Sequence, residues 1–109
     1  MNFEEYQTKS RKTAVYPDAG NNITYPTLGL ASEAGEVANK VKKIFRDDGG
    51  EVTDQKLEEC KKEIGDVLWY CAQLATELGL SLDEIAELNI ERLYSRMDRG
   101  TLHGDGDDR

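Results

Sequence analysis

Two short runs decide how this chain folds: Glu33-Ala34-Gly35-Glu36-Val37 and Glu63-Ile64-Gly65-Asp66-Val67. In each, an acid is followed three residues later by a second acid, with Gly just before it. On a helix that spacing sets the two carboxylates roughly 60° apart, on neighbouring turns of one face. Four carboxylates gathered from two helices repel one another unless something neutralises them. A hard divalent cation does so, because it takes oxygen ligands and leaves free positions for substrate phosphates. The bland alternative is a pair of solvated acidic faces. Three features weigh against it: the pattern occurs twice, each copy borders an apolar stripe, and each keeps a Gly that costs about 1 kcal/mol relative to Ala inside a helix. Gly at such a place points to close approach of another backbone or a ligand. The reading is a metal site built from Glu33, Glu36, Glu63 and Asp66.

Outward from these runs the helical period continues. Leu30, Ala34, Val37, Val41, Ile44 and Phe45 form one apolar stripe, predicting a helix from about Pro26 to Phe45. Leu57, Cys60, Ile64, Val67, Leu68, Cys71, Leu74 and Leu78 form a longer one, predicting a helix from about Asp54 to Leu78. Both acidic pairs lie at the edge of their own stripe, so antiparallel packing through those faces would bring them to one seam. Between the two, Asp48-Gly49-Gly50 breaks the chain, and Thr53 or Asp54 can cap the second of these helices. Pro26 suits a first helical turn. Before it, Phe3, Tyr6, Ser10 and Ala14 suggest a first helix over 2–14, followed by the turn cluster Pro17-Asp18-Ala19-Gly20-Asn21-Asn22.

After Gly79, Ser81-Leu82-Asp83-Glu84 is a capping box that starts a fourth helix running to about Asp98. Asn89, Arg92 and Arg96 interrupt its apolar stripe in a single line. A buried cation without a partner is heavily penalised, so these side chains need either the acids or a ligand's phosphates, both of which suit the planar fork of Arg. Lys40 carries two readings, a surface pair with Glu36 or a phosphate contact beside the metal; Lys42 and Lys43 read as surface. Trp69 and Tyr70 read as core or interface, with base stacking as the alternative. Residues 100–109 hold three Gly and several charges and are expected to form no helix. They are either a flexible tail or a flap over a ligand, with His103 and Arg109 as contacts.

The chain of 109 residues is one domain, 1–99, plus that tail. Its net charge of -8 argues against nucleic acid as a partner, where Lys and Arg must neutralise phosphates. An acidic protein that binds nucleotide needs cations as intermediaries. Cys60 and Cys71 stand about 16 Å apart along one helix and cannot pair within it, which fits a reduced protein. With no signal peptide and no apolar run of membrane-spanning length, cytoplasm is the expected compartment and a membrane is not expected as a partner.

The E-x-x-E run, a 26-residue gap and E-x-x-D resemble the signature of the MazG-like, all-α nucleoside triphosphate pyrophosphohydrolases. Asn89-Ile90-Glu91-Arg92-Leu93 and the tail from Arg99 to Asp107 strengthen the likeness. The resemblance implies a four-helix-bundle-like fold that oligomerises through its helices as a homodimer or dimer of dimers. It implies hydrolysis of a nucleoside triphosphate, NTP or dNTP, to monophosphate and pyrophosphate with Mg²⁺ or Mn²⁺, in nucleotide-pool sanitation. It also implies that Glu33, Glu36, Glu63 and Asp66 bind metal. Glu36 or Glu63 would in addition serve catalysis by orienting the water or taking its proton. Lys40, Asn89, Arg92 and Arg96 would meet phosphate. Many members carry Lys where Arg92 stands. Rival readings are a dUTP- or dCTP-specific enzyme of the same superfamily and a catalytically silent helical assembly protein. A ferritin-like di-iron site needs Glu-x-x-His pairs, and no His falls on a predicted helix.

Overall fold

The computed structural model describes residues 1–109 as four helices and no strand: α1 (Phe3–Arg11), α2 (Thr24–Asp47), α3 (Asp54–Glu77) and α4 (Leu82–Asp98). The all-α class expected from periodicity is what forms. Asn2, Thr53 and Ser81 cap α1, α3 and α4, each side-chain oxygen accepting an N–H from three residues on. Gly79 takes φ +71°, which lets Leu80 N–H reach back to the Ala75 carbonyl at 2.8 Å and close α3. Gly100 repeats this at the end of α4, with Thr101 N–H on the Arg96 carbonyl at 2.8 Å.

Two boundaries differ from expectation. Helix α2 begins at Thr24, with Asn22 Oδ1 accepting Tyr25 N–H at 3.0 Å. Pro26 sits third, still within the turn that needs no N–H partner. Helix α1 stops at Arg11 rather than Ala14. There Thr13 turns the chain: its hydroxyl donates to the Ser10 carbonyl at 2.7 Å and accepts Trp69 Nε1–H at 2.8 Å.

Helices α2 and α3 form an antiparallel hairpin. As α2 advances from Gly29 to Glu33 to Lys40, its neighbours on α3 retreat from Tyr70 to Asp66 to Glu59. At Gly29 the Tyr70 ring occupies the space a Cβ would need, so only Gly fits there without moving the ring. Gly35 and Gly65 have nothing within 4 Å of the Cβ they lack. The close backbone approach expected at these two is therefore not made within the chain.

Helix α1 lies across the second half of α3 through polar side chains. Gln7 donates to Thr76 Oγ1 (3.0 Å) and the Leu80 carbonyl (2.9 Å), and accepts Leu82 N–H (2.8 Å), which fixes the α3–α4 turn. Fully buried Gln73 donates to Ser10 Oγ at 3.0 Å. Only nine residues are buried, and the radius of gyration is 16.7 Å against about 13 Å for a compact domain of this length. The apolar stripes stay largely open: Phe45 is 71% exposed and Ile64 57%. No helix is long and apolar enough to cross a membrane.

Candidate functional site

The hairpin register puts Glu33 of α2 opposite Glu63 and Asp66 of α3. Carboxylate oxygens of these three lie within 4.8 Å of one another, with Glu33 and Glu63 half-buried and Asp66 exposed. Partial burial pushes the Glu33 carboxyl above its usual range, and Glu63, Asp66 and more weakly Glu36 push it the same way. None of the three belongs to an ion pair within the chain. A cluster of hard oxygen donors with no internal cation is the donor set that a divalent ion such as Mg²⁺ takes. Glu36 does not join the group. It is exposed on the same helix edge and contributes charge to the cluster without an oxygen in it.

The other expected residues fall in three places. Lys40 makes no ion pair with Glu36. It is half-buried toward α3, where its charge adds to those holding the Glu59 carboxyl down: burial opposes the shift, and Gln55, Lys56 and Lys40 outweigh it. Asn89 borders an open apolar groove of about 430 Å³, whose walls include Leu30 and Leu68, both within a turn of the acids. Arg92 and Arg96 meet no carboxylate. Both guanidinia donate to the main-chain carbonyl of Asp107, in the 100–109 segment folded back onto α4. Arg96 is buried, and desolvation together with nearby Arg109 and Arg92 presses its pKa down. Arg109 donates to the carbonyls of Thr101 (2.9 Å), Leu102 (2.7 Å) and Gly106. His103 is exposed on the same segment.

An aromatic wall that sequence reading saw only in part stands beside the acids. Tyr16 stacks on Tyr25 with centroids 4.7 Å apart, Tyr25 tilts against Tyr70 at 6.3 Å, and Trp69 meets Tyr70 edge-on at 5.0 Å. Burial raises the Tyr70 hydroxyl pKa, as do Tyr25 and, more weakly, Glu33 and Asp66. Tyr6 of α1 is raised by burial and then by Asp66, which puts it near the same acids. Trp69 spends its N–H on Thr13, which anchors the turn after α1.

The wall is held by Glu77. This carboxylate, fully shielded from solvent, accepts Gly20 N–H (2.8 Å), Asn22 N–H (2.6 Å), Arg11 Nη2 (2.6 Å) and the Tyr16 hydroxyl (3.0 Å). Burial alone would raise its pKa; the two backbone donors, then Arg11 and Tyr16, outweigh that and lower it to about 2. No sequence signal marks Glu77. Its partners are backbone groups of a turn some 55 residues earlier.

A profile of the MazG nucleotide pyrophosphohydrolase domain matches residues 24–100, which span both acidic runs and α4. Gene 37 protein of Mycobacterium phage L5 is 45% identical over 114 aligned positions, covering the whole of both chains. No solved structure matches.

Proposed function

This chain belongs to the MazG nucleotide pyrophosphohydrolase domain family, and from that membership we propose that it hydrolyses nucleoside triphosphates to monophosphate and pyrophosphate. The observation that carries the proposal is the cluster of Glu33, Glu63 and Asp66 across the α2–α3 seam, within 4.8 Å and without an internal cation. These three would hold the divalent metal, Mg²⁺ or Mn²⁺, with Glu36 joining from the next turn of α2. Once bound, the metal neutralises charge on phosphate oxygens and lowers the pKa of coordinated water.

The chain's own part is positioning and proton transfer. Water attacks the α-phosphorus, pyrophosphate leaves, and Glu36 or Glu63 orients the water or takes its proton. Lys40, Asn89, Arg92 and Arg96 are the residues we assign to the phosphates. The substrate comes from the free nucleotide pool of the cytoplasm, and the reaction serves to cleanse that pool. The working unit is a homodimer or dimer of dimers. The open apolar stripes, the extended monomer and the unfilled space beside Gly35 and Gly65 all support assembly.

The test is a panel of NTPs and dNTPs with Mg²⁺ and separated products, run beside Glu63→Gln. Monophosphate plus pyrophosphate, reduced at least about a hundredfold in the variant, is the expected result. Diphosphate plus phosphate would place the attack elsewhere. No turnover with any nucleotide would leave an assembly protein whose acids are a solvated seam.

A further inference from the structure

Six arginines occur in this acidic chain. Arg11 and Arg46 are paired with carboxylates. The other four, Arg92, Arg96, Arg99 and Arg109, collect at the end of α4 and form no ion pair. None meets an Asp or Glu side chain; Arg92, Arg96 and Arg109 donate to main-chain carbonyls, and Arg99 to Ser95 Oγ and the main-chain oxygen of Arg109. Arg92 and Arg96 converge on one carbonyl, that of Asp107, and Arg99 Nη2 donates to the main-chain oxygen of Arg109 at 2.6 Å. Two guanidinia aimed at one oxygen is how Arg receives an oxyanion. A neutral carbonyl answers that charge only partly. The segment that supplies it also carries Asp105, Asp107 and Asp108, and Asp107 lies near enough to Arg96 to favour its charged form.

We propose that the 103–109 tail is an internal competitor for phosphate: in the free protein its Asp107 carbonyl occupies the Arg92–Arg96 fork, and a polyphosphate displaces it. The proposal rests on assigning Arg92 and Arg96 to the phosphates. Arg109 is the clasp, because its bonds to the Thr101, Leu102 and Gly106 carbonyls hold the tail in its folded-back shape. The contact is electrostatic and lies near the surface, so it loosens with salt. This is the opposite of a flap, which would add contacts to the bound nucleotide.

The experiment measures pyrophosphate binding by calorimetry in metal-free, low-salt buffer, so that the acid cluster cannot contribute through a metal. The full chain is compared with a chain ending at Leu102, which keeps the Gly100 and Thr101 bonds that close α4, and with full-length Arg109→Ala. The shortened chain should bind about tenfold tighter, Arg109→Ala should move the same way, and Arg92→Gln in the shortened chain should remove the gain. KM for the nucleotide should fall in step. Equal affinity in all chains, or weaker binding without the tail, overturns the proposal. Absence of pyrophosphate binding in every chain overturns it through the phosphate assignment. Failure of the hydrolase reading looks different: no turnover, whatever the tail does to binding.

Discussion

Glu33 and Glu77 are both carboxylates with shifted pKa, and they shift in opposite directions for reasons that can be tested separately. Glu33 is raised by partial burial and by other acids, so in metal-free protein its ionised form is a strain that grows as pH rises through its pKa. Mg²⁺ should raise the melting temperature at pH 7, and the increment should shrink as pH falls and protons compete for the ligands. Thermal unfolding with and without Mg²⁺ across pH 4–8 measures this; Glu63→Gln should melt a few degrees higher without metal and respond less to it. Glu77 is lowered to about 2 by its donors. Its contribution is complete above the ordinary carboxylate pKa, near pH 5 and upward, and is lost as pH falls toward 2. Glu77→Gln should cost about 2 kcal/mol in denaturant unfolding, because it leaves Arg11 unpaired beneath the 13–22 turn, with the remaining exposure of Arg11 trimming the full cost of a broken buried pair. Glu33, Glu63 and Asp66, which cluster across the seam, stood out in the sequence because the same spaced pair occurs twice, and Glu36, singled out with them, stays outside the cluster. Glu77 did not stand out, because nothing local distinguishes a carboxylate that will meet two distant backbone N–H groups.

At the scale of elements, α2, α3 and α4 were legible from apolar period and caps to within about two residues, while α1 was overextended. Of the expected face, Ser10 and Tyr6 do pack on α3, but Gln7 and Arg11 carry much of the interface and Ala14 lies beyond the helix end, and a largely polar interface leaves little hydrophobic stripe to read. The packing of Tyr70 on Gly29 was missed for a related reason. Gly29 lies outside both acidic motifs, and the need for Gly there is set by the Tyr70 ring opposite. Gly29→Ala should force that ring out of the aromatic wall and cost about 1–3 kcal/mol, read by chemical denaturation, with a parallel loss of activity from the disturbed seam. No loss of stability would mean that Tyr70 swings aside freely and that the wall is not a rigid support for the acids.

The openness of the isolated chain is what supports the proposed assembly. A radius of gyration of 16.7 Å with nine buried residues leaves apolar side chains of all four helices facing outward. The long stripes announced a surplus of apolar surface in the sequence, but which faces remain uncovered required the fold. In solution the protein should sediment as a dimer or tetramer, and Ile64→Asp, placed beside open Gly65, should yield monomers with little activity. A monomer at micromolar concentration with full activity would refute the assembly. The central claim is that this assembly directs water to the α-phosphorus, and turnover in ¹⁸O-labelled water with Mg²⁺ tests it most directly. The label should appear in the nucleoside monophosphate and not in pyrophosphate; label in the pyrophosphate, or in released inorganic phosphate, would contradict it.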